Sequence, residues 1–189
     1  MLASRVLAYP LRKWNTSEYQ RLVAAGFFSS EDHVELLDGQ IIEMSPAGNF
    51  HAATVEYVVD QLRLLLPLDT HMIRSQNPVV LGDRSEPEPD IAVVDARRDY
   101  YRAGHPEAKD IRLLIEVADT SLEKDRNLKA ELYAQAEIPE YWIINLEEEV
   151  IEQFSEPKDG RYWQQRIHHK ESTFEIGLLS GQSVGKFWL

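Results

Sequence analysis

Residues 111–117 read Ile-Arg-Leu-Leu-Ile-Glu-Val, and this stretch decides the predicted fold. Its apolar residues are nearly continuous and several are β-branched, which is typical of a strand that is buried on both faces. Residues 122–136 then predict a helix, and residues 141–145 predict another buried strand. A strand–helix–strand unit usually forms a right-handed crossover between parallel strands. The stretch therefore predicts an α/β core.

Hairpins are predicted on both sides of this core. Asp38-Gly39 separates the short apolar runs 34–37 and 40–44, and both residues of the pair tolerate the positive φ that a tight hairpin turn requires. Together with the parallel crossover, hairpins predict a mixed sheet flanked by helices, which makes the whole fold α/β in its core and α+β overall. An antiparallel C-terminal extension is predicted from residues 150–154, 162–168 and 173–176.

Two further helices are predicted before the core. The first is capped by Thr16 or Ser17 and runs to about residue 25. The second covers residues 51–66, where apolar residues recur every three or four positions. Short strands are predicted at residues 71–75, 78–81 and 90–94.

Composition limits the classes of protein to which the chain can belong. Its 189 residues predict one domain, residues 1–189. Cysteine is absent, which excludes disulfides, zinc–thiolate sites and thiol nucleophiles. The longest apolar-rich stretch, residues 55–68, contains charged side chains and cannot span a bilayer. We therefore expect a cytoplasmic protein with no membrane partner.

The formal net charge of −12 counts against broad electrostatic binding of duplex DNA, because neutralising phosphates supplies most of the affinity of such binding. It does not exclude a nuclease. Clustered carboxylates lower the isoelectric point and also bind a cation, which restores positive charge locally.

Two carboxylates border or interrupt runs that otherwise predict buried strands. Asp90 follows Pro89 at the start of one strand, and Glu116 lies near the end of another. Burying an unpaired carboxylate is costly, and a cation is one way to offset that cost. Mg²⁺ suits a site with one or two carboxylates plus waters. The alternative is that Asp90 is only a turn residue and that Glu116 points to water.

The helix after Glu116 adds an amine to these acids. Asp125, Lys129 and Tyr133 are spaced by four and form one stripe, with about 6 Å per step. Lys129 should lie at the margin between the buried and exposed faces, from where its ammonium could reach Glu116. The alternative is an exposed helix with a weak surface ion pair between Asp125 and Lys129. The adjoining apolar stripe, predicted to face the sheet, consists of Leu128, Leu132 and Ala136.

Several short motifs follow one another in a fixed order between about residue 30 and residue 155. They are Glu35-Leu36-Leu37-Asp38-Gly39, Met44-Ser45-Pro46, His51, Pro89-Asp90, Ile115-Glu116-Val117, Lys129, Tyr133 and Glu140-Tyr141-Trp142-Ile143-Ile144. In order and spacing they resemble the Uma-two family of restriction endonucleases, which belongs to the PD-(D/E)XK nuclease superfamily. The resemblance implies a restriction-endonuclease-like core and a metal-dependent endonuclease that hydrolyses phosphodiester bonds of nucleic acid, with DNA favoured.

The resemblance also implies roles for the matched residues. Asp90 and Glu116 would ligate Mg²⁺, or alternatively Mn²⁺, with the Val117 carbonyl as a further ligand. The lysine that the superfamily carries two positions after this glutamate is Ala118 here. Lys129 resembles a migrated replacement that would orient the attacking water or stabilise charge in the transition state.

Three more residues match polar positions of the family. Glu35 either completes the acidic cluster or faces solvent from its strand. His51 either acts on phosphate or on a proton, or only caps its helix. Tyr133 either donates a hydrogen bond in the site or packs in the core.

Two other functions remain open from the sequence. The missing lysine after Glu116 and the acidic charge also suit a nuclease-derived binding or assembly module that no longer cleaves. The acidic surface suits a small phosphodiester better than long duplex DNA. By analogy with nucleases that cut both strands, a homodimer is expected.

Overall fold

The computed structural model describes residues 11–29, 31–44, 46 and 48–189. The strands are β1 (Val34–Leu37), β2 (Gln40–Glu43), β3 (His71–Ser75), β4 (Ile91–Asp95), β5 (Ile111–Ala118), β6 (Glu140–Asn145), β7 (Val150–Lys158) and β8 (Arg161–His168). The helices are α1 (Thr16–Ala24), α2 (Asn49–Leu65), α3 (Leu122–Lys124), a π-helical segment (Asp125–Lys129) and α4 (Ala130–Gln135), with short 3-10 helices at Ala108–Asp110 and Val184–Phe187.

The main sheet has the strand order β3-β4-β5-β6-β7-β8. Its central pair, β5 and β6, is parallel, and every other neighbouring pair is antiparallel. The hairpin of β1 and β2 forms a separate two-stranded sheet. The predicted mixed sheet with a parallel crossover and an antiparallel C-terminal extension is thus confirmed.

Two apolar layers cover the two faces of the sheet, because residues of β5 and β6 alternate between them. Ile115 and Val117 pack with α2 and with the C-terminal segment. Leu114 and Ala118 pack with α4 in the other layer. Glu116 is in phase with Leu114 and Ala118, so its side chain faces the helical segment of residues 122–135. The central strands are buried on both faces, which explains their nearly continuous apolar sequence.

The predicted cap of the first helix is wrong by one or two positions. Asn15 caps α1, since its side chain accepts a hydrogen bond from the backbone N–H of Glu18 at 2.8 Å. The Glu18 side chain accepts one from the Asn15 N–H at 3.2 Å. This reciprocal pair is a capping box, which satisfies two backbone donors at once.

Two predicted strands are absent from the part of the chain that the structure describes. Residues 173–176 contribute only an isolated bridge at Thr173, because the chain turns there to bury Phe174 against Trp142, with 4.5 Å between ring centroids. Residues 78–81 likewise contribute only an isolated bridge, at Val80. None of the helices in the described ranges is both long enough and apolar enough to cross a membrane.

Candidate active site

Asp90 and Glu116 come together where β4 begins and β5 nears its end. Ile91 pairs with Ile115 in the antiparallel ladder, so the two acids occupy the next positions along their strands. Asp90 Oδ2 accepts a hydrogen bond from the backbone N–H of Val117 at 2.8 Å. This bond holds the Asp90 side chain against β5, beside Glu116.

Glu116 is buried and accepts two hydrogen bonds on a single oxygen. Lys129 Nζ lies 2.8 Å from Glu116 Oε1, and the Tyr133 hydroxyl lies 2.7 Å from the same atom. The Tyr133 ring also packs edge-to-face on Tyr141, with 4.9 Å between centroids. Both interpretations of Tyr133 therefore hold, since it packs in the core and donates to the site.

Lys129 is more deeply buried than the sequence predicts. Its side chain is 3% exposed, so it does not lie at a margin between two faces. Besides Glu116, it contacts Glu35 Oε2 at 3.3 Å. The stripe of Asp125, Lys129 and Tyr133 is buried because these polar groups find partners there, whereas Leu128 of the apolar stripe is only partly buried. The weak surface ion pair of the alternative interpretation does not form.

Glu35 belongs to the same cluster and does not face solvent. Its side chain is fully buried, and its two oxygens are held by different lysines. Lys124 Nζ lies 3.0 Å from Oε1, and the backbone N–H of Glu88 donates to Oε2 at 3.3 Å. The β1–β2 hairpin thereby connects to the helical segment that follows β5.

His51 lies in the first turn of α2 and contacts the acid at the start of β4. Its Nε2 atom is 3.0 Å from Asp90 Oδ2, and its Nδ1 atom is buried and has no hydrogen-bond partner among the described residues. The helix is not capped by His51, because it begins at Asn49 with Gly48 at the N-cap position. The hydrogen bond to the Asp90 carboxylate raises the pKa of His51, and burial opposes that rise.

An excess of negative charge dominates the electrostatics of the cluster. Burial, together with the charges of Asp125, Asp90 and Glu35, raises the pKa of Glu116 to about 8, although Lys129 opposes the rise. Burial lowers the pKa of Lys129, but the surrounding carboxylates outweigh it and raise that pKa above its ordinary value. Glu116 thus holds its proton more tightly mainly because it is buried, and Lys129 does so because carboxylates surround it.

The cluster opens into a cavity of about 730 Å³. Its walls come from the segment after β2, from α2, from the ends of β4 and β5 and from α3 with the π-helical segment. The acidic side chains that line it are Glu88, Asp90, Glu116, Asp119 and Asp125. The lysines that line it are Lys124 and Lys129. The cavity is large enough for a ligand of the size of a nucleotide.

The residues present fit a hard divalent cation. Among the described residues, no group of three or more histidine, aspartate or glutamate side chains is arranged to hold a metal ion. The predicted donor set is smaller, with Asp90, Glu116 and the Val117 carbonyl, and Mg²⁺ commonly takes one or two carboxylates while it keeps several waters. The donors are all oxygens, and the acidic side chains that line the cavity outnumber the lysines that line it.

Sequence reasoning missed Lys124 as part of the cluster. Lys124 and Lys129 are five residues apart, which places them on different sides of a regular α-helix. Residues Asp125–Lys129 are π-helical, however, and bonds from i to i+5 bring residues five apart close together. Both lysines therefore reach Glu35. A search for α-helical spacing alone could not have found this.

The comparisons with known proteins concern the family and the fold of the chain. The Uma2 family model, described as "Putative restriction endonuclease", matches residues 16–184. The chain also resembles a solved structure, described as a putative nuclease belonging to DUF820 from Anabaena variabilis ATCC 29413, with a TM-score of 0.68. Sequence identity is 14%, and the likeness covers 95% of this chain and 98% of that chain, so it concerns the fold. None of the curated proteins compared with the chain matches it. Since the family model spans most of the sequence, this protein belongs to the Uma2 family, whose members are described as putative restriction endonucleases.

Proposed function

We propose that the protein is a metal-dependent endonuclease that hydrolyses phosphodiester bonds of nucleic acid, with DNA as the favoured substrate. One observation carries the proposal, which is that two carboxylates from neighbouring strands and an amine from the following helix meet in one cavity. Asp90, Glu116 and Lys129 supply these groups. Family membership supports the same reaction class.

Asp90, Glu116 and the Val117 carbonyl would hold Mg²⁺ or Mn²⁺. When bound, such a metal polarises a phosphoryl oxygen and lowers the pKa of a water molecule. The protein residues hold these donors in place. His51 and the Val117 N–H fix one oxygen of Asp90, and Lys129 and Tyr133 fix one oxygen of Glu116.

Lys129 adds positive charge to the cluster without any loss of its proton. Its raised pKa keeps it as an ammonium at neutral pH. In a buried site this charge stabilises the ionised form of Glu116 and the negative charge that develops on the phosphoryl group. Glu35 holds the other side of the Lys129 ammonium, so its contribution is positional.

A supercoiled plasmid tests the proposal. The wild type should nick the plasmid with Mg²⁺ or Mn²⁺, and EDTA should abolish nicking. Asp90→Ala and Lys129→Met should lower the rate about a hundredfold or more, as the loss of a site group commonly does. Lys109→Met, at an exposed lysine whose described partner is Glu107, is the matched control.

The alternatives give different outcomes in the same assay. Equal nicking by wild type and both site variants would mean contamination and would favour a binding or assembly module. Hydrolysis of a chromogenic diester without any cleavage of DNA would favour a small phosphodiester as substrate. The homodimer and the cytoplasmic location remain predictions, and sedimentation of the purified protein tests the first of them.

A further inference from the structure

Two lysines line the cavity, and they differ in what they can touch. The Lys129 side chain is 3% exposed, and its ammonium lies between Glu116 and Glu35. The Lys124 side chain is 27% exposed and has one described partner, Glu35. Only Lys124 therefore combines a place in the cavity wall with access to a bound molecule.

We propose that Lys124, and not Lys129, contacts a phosphate group of the substrate. This inference rests on the proposed function, because it concerns the ligand of the same cavity. It leaves Lys129 enclosed beside Glu116, from where its charge acts on the site without direct contact to the substrate, and assigns the direct phosphate contact to Lys124. The ligand group is an anionic phosphodiester of the nucleic-acid backbone.

Glu35 allows Lys124 to move without leaving a buried charge unpaired. When Lys124 leaves Oε1, Glu35 keeps Lys129 and the Glu88 N–H on Oε2. Removing the last partner of a buried carboxylate would be costly, but here two partners remain. A lysine ammonium on a flexible stem suits such an exchange between a carboxylate and a phosphate.

The negative charge of the cavity walls explains why this exchange would favour substrate binding. Glu88 and Asp119 line the cavity and repel an entering phosphate. The His51 ring nitrogen Nε2 already contacts Asp90, and Lys129 is enclosed. An ammonium that turns from Glu35 towards the cavity reduces the repulsion where the phosphate enters.

The salt dependence of binding tests this contact directly. Each phosphate contact by a lysine contributes about 0.9 to the slope of log K against log salt on duplex DNA. We expect Lys124→Gln to lower this slope by about 1 and to weaken binding about fivefold. Lys124→Arg should keep the slope, and Lys129→Gln should lower the cleavage rate with the slope unchanged. The slope is measured from the fluorescence anisotropy of a labelled 16-base-pair duplex in Ca²⁺, between 20 and 200 mM KCl. A gel first confirms that the duplex stays intact under these conditions.

Lys109→Gln is the matched control, since it removes the same charge at an exposed position outside the cavity. An unchanged slope for Lys124→Gln would overturn the inference, and so would an equal drop for Lys109→Gln. If Lys124 acts only by pairing with Glu35, Lys124→Gln should change the stability of the protein and leave the salt dependence of DNA binding unchanged. If the wild type cleaves DNA and Lys124→Gln binds with the same salt dependence as the wild type, only the assignment of Lys124 to the phosphate contact is wrong. If the wild type neither binds nor cleaves, the proposed function fails and this inference fails with it.

Lysine modification of the wild type gives a second measurement that needs no variant. In the free protein, Lys124 should react with an acetylating reagent, whereas Lys129 should not, because its side chain is 3% exposed. Addition of the duplex should protect Lys124 about threefold or more, by analogy with other phosphate contacts. Equal modification of Lys124 with and without the duplex, read by mass spectrometry, would overturn the contact.

Discussion

Lys129 Nζ lies 2.8 Å from Glu116 Oε1, and both residues are almost completely buried. The acid and the amine come from different elements, β5 and the π-helical segment, so this pair joins the sheet to the helix that follows it. Glu35 contacts the same ammonium from the hairpin of β1 and β2. One buried cation thus links three parts of the fold.

Lys129→Met should destabilise the metal-free protein by about 3 kcal/mol, because the loss of one partner leaves a buried carboxylate without its cation. The loss should be smaller near pH 6 than near pH 9, since Glu116 with a pKa of about 8 is largely protonated at the lower pH. Urea denaturation in EDTA at the two pH values measures both effects. The double variant Lys129→Met, Glu116→Gln should recover part of the loss, and a double variant no more stable than the single one would contradict the account.

His51→Ala should raise the Mg²⁺ concentration for half-maximal cleavage about tenfold, because partners that orient a metal ligand commonly contribute this much. The His51 ring holds Asp90 Oδ2 at 3.0 Å, and the Val117 N–H holds the same atom. A titration of the nicking rate against Mg²⁺ measures the shift. His71→Ala, at a histidine whose described contacts lie at the start of β3, is the control. Equal titrations for wild type and His51→Ala would show that His51 does not position Asp90.

Gly177→Ala should destabilise the fold by about 3 kcal/mol, since it combines backbone strain with a clash. Gly177 has φ of +88°, and an added Cβ would lie 2.3 Å from Glu140 Oε1. Glu140 is buried and accepts hydrogen bonds from Trp142, Gln153 and the Leu178 N–H, so it cannot easily move. Thermal unfolding measures the loss.

Gly181→Ala separates the two causes at Gly177. Its φ is +84°, but nothing lies within 4 Å of an added Cβ, so it carries the strain alone. It should cost about 1 kcal/mol. If both variants unfold at the same temperature, the close approach of Glu140 contributes nothing.

His168 should make the protein less stable in mild acid. Burial, helped by Arg166, lowers the pKa of His168, which donates from Nε2 to Gln153 Oε1 at 2.8 Å. The unfolded chain therefore binds a proton more readily, with a pKa of about 6.5. The contribution of neutral His168 to the free energy of unfolding is fully present above that pH. It is lost as the pH falls through 6.5 towards the lowered pKa of the folded state.

The variant His168→Gln isolates this titration. Its unfolding free energy, measured in urea between pH 5 and pH 8, should fall less steeply with acid than that of the wild type. His169→Gln, at the exposed neighbouring position, should leave the slope unchanged. Parallel curves for wild type and His168→Gln would show that His168 is not held in its neutral form.

The sheet could be predicted from the sequence because its signals are local. Residues 111–117 and 141–145 are nearly continuous in apolar side chains, and the helix between them favours a parallel crossover. The strand at residues 173–176 was predicted wrongly because Thr-Phe-Glu-Ile alternates as a strand does, but Phe174 packs on Trp142 and the segment does not pair in the sheet. Alternation along a strand does not show which partner will bury a given side chain.

The sequence by itself pointed to Asp90 and Glu116 as candidates, since an unpaired carboxylate is costly to bury and each one borders or interrupts an apolar run. Their order with Lys129 resembles the Uma-two family, and that resemblance favoured a site over a turn residue and a solvent-facing residue. Only the tertiary structure decided how the charge is met, with Lys129 enclosed between Glu116 and Glu35 and with Lys124 at the open side of the cavity. The reason is that a π-helical segment changes which residues share a side of a helix. The spacing of residues in the sequence does not show where such a segment forms.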